Sequence, residues 1–502
     1  MKRLLSLTLT LLIATVSFAH EFEVSGIYYN VSLSADRTVY VTYKGLKYSS
    51  YANEYTGEVT IPSTVTYDGV TYSVTGIGVS AFEDCTELTS VVIPGSVTEI
   101  GKNAFSDCYG LTSATIGNGV KTIGRAAFYN CTGLTGITFP NSVTEIGEAA
   151  FGSCTSLTDI VIPNSVTTIG IWTFSGCSGL TSITIGKGVT SVNRSSFQNC
   201  NNVESITIDA ANTLYDSREN CNAIIETSTN KLIHGCKNTV IPNSVECIDE
   251  YAFNECAGLK SIVLGEHLTS IEEFAFYGCS GLTSIKVDAR NPIYDSREDC
   301  NAIIVTAKNE LIYGSNNTVI PDGVKKICFA AFNGCADLKT VVVPGSVTEI
   351  DQYAFRDCTG LTKVVIPSSV TDVRRFAFLN CTSLTGVYSV TNTPAEMGEG
   401  VFTCENNGYN PNTIYSNATL YVPLGTKATY QAKEGWKQFS NIVEKDFEQE
   451  DPTGIETIES PVVIDGQGVY TLTGVKVADT VSGLNTLPQG IYVVNGKKVA
   501  VK

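Results

Sequence analysis

Histidine is scarce in this chain, with three in 502 residues. His20, His234 and His267 lie far apart, and no Gly-x-Ser-x-Gly, His-Glu-x-x-His or phosphate-loop spacing occurs. That absence removes the common signatures of nucleophilic, zinc-hydrolytic and nucleotide-dependent enzymes, so no catalysis and no cofactor are expected. Basic charge is short too: 33 Lys and Arg stand against 50 Asp and Glu, a net charge of −17. A chain of that sign is repelled by phosphate backbones, which excludes nucleic acid as a partner. Beyond the N-terminus no run approaches the roughly 18 apolar residues of a membrane-spanning helix. No Cys-x-x-Cys pair offers the close-spaced ligands of a zinc site.

What the chain has is a repeat. Cys85, Cys108, Cys131, Cys154, Cys177 and Cys200 are 23 residues apart, and Cys256 with Cys279, then Cys335, Cys358 and Cys381, resume the same step. Eleven turns carry Phe three residues before Cys, from Phe82 to Phe378. A period of this length marks a unit that cannot bury its own apolar face and must stack on its neighbours, which gives a solenoid. After Cys131 come Leu134, Ile137 and Phe139, and Ile137-x-Phe139 has the alternation of a half-buried strand. Pro140 or Pro163 follows and cannot donate to a ladder, so the strand ends there. Ser-Val-Thr-x-Ile is a second short β-branched stretch, and Ala-Phe-x-x-Cys reads as a helical or 3₁₀ turn. Phe151 should lie buried between the rings of Phe128 and Phe174.

Two coils are longer. Cys200 to Cys256 and Cys279 to Cys335 each span 56 residues, 33 more than one repeat. The additions resemble each other, with Tyr215-Asp-Ser-Arg-Glu-Asn-Cys221 matching Tyr294-Asp-Ser-Arg-Glu-Asp-Cys300. Each reads as a β-hairpin bulging from one edge of the solenoid. Asp209, Asn212 and Asp216, with Asp288, Asn291 and Asp295 in the second copy, suit turns, and their spacing does not match an EF-hand loop.

Ile162-Pro-Asn-Ser-Val-Thr-Thr-Ile-Gly, the Ala-Phe-x-x-Cys turn and Leu-Thr-Ser-Ile resemble the BspA-like leucine-rich repeats of bacterial surface proteins, over residues of about 60–390. The resemblance implies an α/β-type, mostly β leucine-rich repeat solenoid of 23-residue coils, with a parallel sheet, two β-hairpin insertions and β-rich caps. It also implies surface adhesion, with host matrix proteins or other surface proteins as partners. A carbohydrate-binding surface protein is the alternative, and the expected state is a monomer.

Met1-Lys-Arg followed by the apolar run from Leu4 to Phe18 reads as a signal peptide, residues 1–19, and no cysteine near the cut suggests a lipid anchor. Its removal leaves 31 basic against 50 acidic residues, a net −19. Seventeen cysteines in an exported chain invite a disulfide reading, but twelve occupy the apolar register of the repeat. Ladder positions point the same way, a poor geometry for bridges, so buried free thiols are expected.

Residues 20–78 read as an N-terminal β-rich cap, 79–388 as the repeat solenoid, 389–443 as a C-terminal cap with a helical stretch at Thr426 to Trp436, and 444–460 as an acidic linker. In the tail, 461–502, Asn495-Gly496 between two β-branched runs is a type I′ hairpin signal. With Leu487-Pro-Gln-Gly the tail resembles a C-terminal sorting domain of type IX secretion, which implies the type IX secretion machinery as a partner and outer-membrane export to the cell surface.

Candidate site residues lie on the outward slots of Leu-x-x-Ile-x-Ile, on the sheet such repeats usually curve around. Early coils hold Thr112, Ser113 and Thr115, then Thr135, Gly136 and Thr138, with Asp159 and Glu204 as acidic exceptions. Later coils place Lys260, Lys286, Lys339 and Lys363 in the equivalent positions, a candidate docking stripe for an acidic partner. Glu99 and Glu145 read as a solvated face, and Trp172 as packing rather than as a sugar platform.

Overall fold

The computed structural model describes residues 20–32, 37–45, 53–405 and 413–447, and beyond them the backbone of five short strands between 456 and 501. The expected signal peptide lies outside the described residues. The chain is a β-solenoid of about 16 turns of roughly 23 residues, with parallel sheets and little helix. It folds as two compact units, Met1–Ser228 with Ile233–Asn238, and Thr229–Leu232 with Thr239–Lys502.

Each coil contributes two strands to two parallel ladders. In the first unit Ser113–Thr115 lies between Leu88–Val92 and Gly136–Thr138, with Ala114 level with Val91 and Ile137. The second ladder joins Glu99–Ile100, Thr122–Ile123 and Glu145–Ile146. Gly136–Thr138 and Asp159–Ile162 stop just before Pro140 and Pro163, as the missing N–H requires.

The Ala-Phe-x-x-Cys segment is a laddered turn rather than a helix. Ala127, Tyr129 and Cys131 donate to carbonyls three residues back, while Ala126, Phe128 and Asn130 donate to the next coil, at 2.8, 2.8 and 2.7 Å. Ala126 and Asn130 sit at φ 52° and 61°, left-handed values that interrupt a helix within a single turn.

The interior is a stack of rings beside a stack of thiols. Phe151 is fully buried, with the Phe128 and Phe174 rings parallel to it at 5.2 and 5.6 Å. In the second unit Phe332, Phe355, Phe378 and Phe402 stack at 4.8, 4.9 and 5.1 Å. All seventeen cysteines are free, and only Cys247 and Cys328 are less than buried. The thiols bond along the stack: Cys131 Sγ donates to Phe105 O at 3.0 Å and Cys358 Sγ to Phe332 O at 3.1 Å. Burial pushes the Cys108, Cys279 and Cys335 thiols well above their usual range, so they stay protonated donors.

Threonine hydroxyls form a further ladder outside each strand. Thr112 donates to Thr89 O at 3.0 Å and Thr135 to Thr112 O at 3.3 Å, and Thr362 repeats the bond to Lys339 O at 2.9 Å. On the second ladder Thr371 donates to Thr348 O at 3.3 Å.

The insertions do not bulge from an edge. In the second copy Ala302–Val305 and Glu310–Gly314 form an antiparallel hairpin, with Tyr294–Asp295 on its outer side. Glu310–Gly314 then pairs in parallel with Lys326–Ile327, so it takes the place of a coil's second strand. In the first copy Lys231 and Leu232 pair likewise with Cys247 and Ile248. The turn residues are consumed locally: Asn291 donates to Gly265 O and Leu268 O at 2.7 and 3.0 Å and accepts from the Ile293 and Tyr294 amides. Asp295 holds the Arg297 guanidinium in a two-pronged pair, at 2.7 and 2.6 Å.

At the N-terminal end Phe22–Val24, Ile27–Val31 and Thr38–Thr42 form an antiparallel sheet. Asp68 and Gly69, both left-handed, turn the hairpin between Thr64–Tyr67 and Val70–Ile77. The parallel ladders already begin inside this region, where Gly57–Thr60 pairs with Leu88–Val92. At the other end Thr419–Pro423 and Asn441–Lys445 extend the parallel sheet past Gly386–Ser389. The expected helical stretch splits into Lys427–Ala432 and a 3₁₀ turn, Trp436–Gln438, because Gly435 at φ 80° intervenes. Trp436 is fully buried and donates to Ala395 O at 2.9 Å.

The acidic segment is shorter than expected. Glu444 and Lys445 belong to the last strand of the parallel sheet, and Glu456–Thr457 pairs with Lys497–Val501 of the tail. In the tail Gly490–Val494 and Lys497–Val501 are antiparallel, with Val494 opposite Lys497. Asn495 and Gly496 between them lie outside the described residues.

Candidate binding face

Strand alternation sends one set of side chains into the core and the other outward. In the first unit the outward slots hold Ser113, Thr115, Gly136, Thr138, Thr184 and Thr207, with Val161 56% exposed among them. Asp159 and Glu204 are exposed, and Glu204 is paired with Lys237 at 2.8 Å. The hydroxyl ladder uses up much of the polarity of this face.

In the second unit Lys260, Lys286 and Lys339 are exposed and Lys363 is half-buried. They do not form one column. Lys286 stands level with Val263, and Lys363 level with Thr340, so the four occupy three different registers. Lys260 and Lys339 sit in the threonine-ladder slot of the first coil after each insertion. Thr283 and Thr362, one repeat later, donate to their carbonyls. No coil lies 23 residues upstream to receive a hydroxyl there, which frees the slot for a long side chain. Each ammonium lies over a glycine of the next coil: a methyl on Gly281 or Gly360 would meet it at 2.8 or 2.9 Å. Those glycines are needed regardless, because the same methyl would stand 2.0 or 2.1 Å from a backbone carbonyl.

A feature beyond the repeat adds to this face. Tyr388 and Tyr421, on neighbouring strands, stack at 4.4 Å and 16°. Lys363 Nζ is 4.8 Å from the Tyr388 ring centre, and Lys445 Nζ is 5.8 and 5.7 Å from the two rings. Burial and the neighbouring Tyr421 hold the Tyr388 phenol above its ordinary value. Tyr421 lies where the 23-residue spacing has broken down, and only the alternation of Thr419-Leu-Tyr-Val signals it.

Elsewhere the chemistry is sparse. The His20 and His267 rings each bond a backbone carbonyl, Lys44 O and Asn243 O. Burial holds His234 down to about 4, neutral against the Phe197 ring at 5.6 Å. Among the described residues no group of three His, Cys, Asp or Glu side chains could hold a metal ion. Trp172 is not packed inside: it is 48% exposed, on a left-handed backbone at φ 53°. Glu99 and Glu145 are exposed. Among the described residues no helix is long and apolar enough to cross a membrane.

The BspA type leucine rich repeat region matches residues 44–170, 144–236, 224–297 and 312–418, more than half of the chain. The chain belongs to this family. It is a repeat family that is generally non-catalytic. A leucine rich cell surface protein of Faecalibacterium prausnitzii is 28% identical, with a TM-score of 0.48 over 77% of this chain and 95% of that one. A leucine-rich repeat protein of Bacteroides ovatus is 26% identical, with a TM-score of 0.39 over 74% and 95%. The pneumococcal vaccine antigen PcpA is 18% identical, with a TM-score of 0.50 over 86% and 99%, a likeness of fold. No curated protein matches the chain.

Proposed function

We propose that this BspA-type repeat protein is a secreted, cell-surface adhesin that binds other proteins and performs no catalysis. One observation carries the reading: Lys260, Lys286, Lys339 and Lys363 all lie on outward strand positions of the second unit, across two parallel sheets, on a chain of net charge −17. A local basic surface on an acidic molecule steers an acidic partner toward it. The description of the Faecalibacterium relative as a cell surface protein supports the placement.

Residues 1–19 serve export across the inner membrane in this reading, and 461–502 act as a type IX sorting domain joined to the solenoid by an acidic linker. The antiparallel pairing of Gly490–Val494 with Lys497–Val501 is in keeping with that role. Deleting 461–502 leaves the solenoid folded and stops it reaching the cell surface; normal surface levels of the truncated protein would rule the sorting role out. Carbohydrate capture is the second reading, favoured by the exposed Trp172 ring. The mature chain is tested against a glycan array and a panel of host matrix proteins. Retention of matrix proteins, weakened by salt, supports adhesion; retention of glycans alone supports the second reading.

A further inference from the structure

The outward positions of the last five strands of the second unit's sheet form a continuous row. Val342 stands level with Val365, Val365 with Tyr388, Tyr388 with Tyr421 and Tyr421 with Val443. The corresponding first-unit slots hold Val92, Thr115, Thr138, Val161, Thr184 and Thr207, so valine is an ordinary occupant and the tyrosine pair is what sets this row apart. Val365 is only 2% exposed although it points outward, so its neighbours lean over it, while Val443 remains 39% exposed. Lys363 precedes the row by two residues on its strand, and Lys445 follows it by two on the last one. The ammoniums therefore flank the row on opposite sides. The single acidic residue on these five strands, Glu444, alternates with the row and accepts from the Lys427 amide at 2.9 Å, although acidic residues outnumber basic ones 50 to 33 in the chain.

We propose that this row, centred on Tyr388 and Tyr421, is a docking surface for an acidic polypeptide segment that also carries apolar side chains. The proposal rests on the reading of the strand face as the binding face and names its centre. Charge complementarity chooses an acidic occupant. Ring geometry chooses a polypeptide over a sugar. The two tyrosines turn one face to each other, and Lys363 lies 4.8 Å from the Tyr388 ring. Lys445 is nearly equidistant from both ring centres, so it lies opposite the gap between them rather than over either face. On its other side Tyr421 is flanked by Val443 of the next strand, so ring edges and Val443 are what remain to be touched. These suit aliphatic side chains and carboxylates better than the flat face of a pyranose, which needs an open ring to stack on. Tyrosine is also a residue type that concentrates binding energy at protein interfaces.

The test uses the full chain and a fluorescent peptide of alternating glutamate and valine, with an all-glutamate peptide and polygalacturonate as comparators. The alternating peptide binds more tightly than the all-glutamate one. Tyr388→Ala with Tyr421→Ala weakens it about tenfold. Val443→Asp, which leaves the ring pair intact, also weakens it. Lys363→Gln with Lys445→Gln weakens it and flattens its salt dependence, while Thr184→Ala with Thr207→Ala changes nothing. An alternating peptide that does not bind, or binds Val443→Asp and the double tyrosine variant like the parent, overturns the proposal. So does polygalacturonate binding in preference to the peptide with the same losses. Loss of binding in Lys260→Gln with Lys286→Gln, but not in the tyrosine variant, keeps the wider strand-face reading and discards this centre. The reverse pattern keeps the centre and discards the wider stripe.

Discussion

Each unit has the same kind of interior, and the two differ outside. Phe82 to Phe197 in one, and Phe332 to Phe402 in the other, stack at the same spacing of 4.7–5.6 Å. Outside, both carry threonine ladders, and the second adds the four lysines and the Tyr388–Tyr421 pair. The two insertion copies diverge likewise, with His234, Cys236 and Cys247 of the first replaced by Tyr313, Ser315 and Lys326 in the second. Translation along the stack constrains every inward residue, since each must fit against a copy of itself. An outward residue meets only solvent and its ladder neighbours, so function is free to write there.

If the interiors are equivalent, ring deletions should cost the same in both. Phe151→Ala and Phe355→Ala should each lose about 3–5 kcal/mol in denaturant unfolding, felt mainly by adjacent coils. A large cost in one unit and a negligible one in the other would break the equivalence.

The insertion copies should part at acid pH. Burial holds His234 down to about 4 from an ordinary 6.5. Below 6.5 the unfolded chain takes up the proton first, so stability falls as pH drops toward 4 and levels off below it. The loss is roughly 3 kcal/mol at most. His234→Tyr, which copies the residue at Tyr313, should remove that part of the acid sensitivity; an unchanged slope would show that His234 is not held neutral.

The outward faces should separate in kinetics. Changing Lys260, Lys286, Lys339 and Lys363 to Glu should slow association with an acidic ligand about tenfold and flatten its salt dependence, with the melting temperature retained. The smallest effects belong to the hydroxyl ladders. Thr135→Ala and Thr362→Ala should each cost about 0.5–1.5 kcal/mol, again alike in the two units.

Much of this architecture is legible in residue spacing. Cysteine and phenylalanine recur because stacking demands identity, so the coil length, buried thiols and Phe151 follow directly from the period. What escapes is whatever the period does not carry. Left-handed turns are invisible where Ala126 or Ala149 occupies them, since neither residue type advertises that conformation. Phe402 stands two residues before Cys404 rather than three, yet its ring still stacks on Phe378 at 5.1 Å. The four lysines stand four, seven, four and five residues after the cysteines of their coils, a difference legible in the spacing that strand register turns into three rows. Tyr388 and Tyr421 are 33 residues apart, and only the pairing of their strands across the cap brings them together.

The central claim is that the second unit's outward face binds and the first unit's does not. The most direct measurement compares two charge-matched sets of substitutions in the full chain by stopped-flow association with the glutamate–valine peptide. One set changes Lys260, Lys286, Lys339 and Lys363 to Gln; the other changes Thr112, Thr135, Thr138 and Thr184 to Glu. Both make the chain more negative by four charges. The account predicts slowed, salt-insensitive association for the first set and near-parental association for the second. Equal slowing in both would mean that bulk charge alone governs the encounter, and would contradict the assignment of this face.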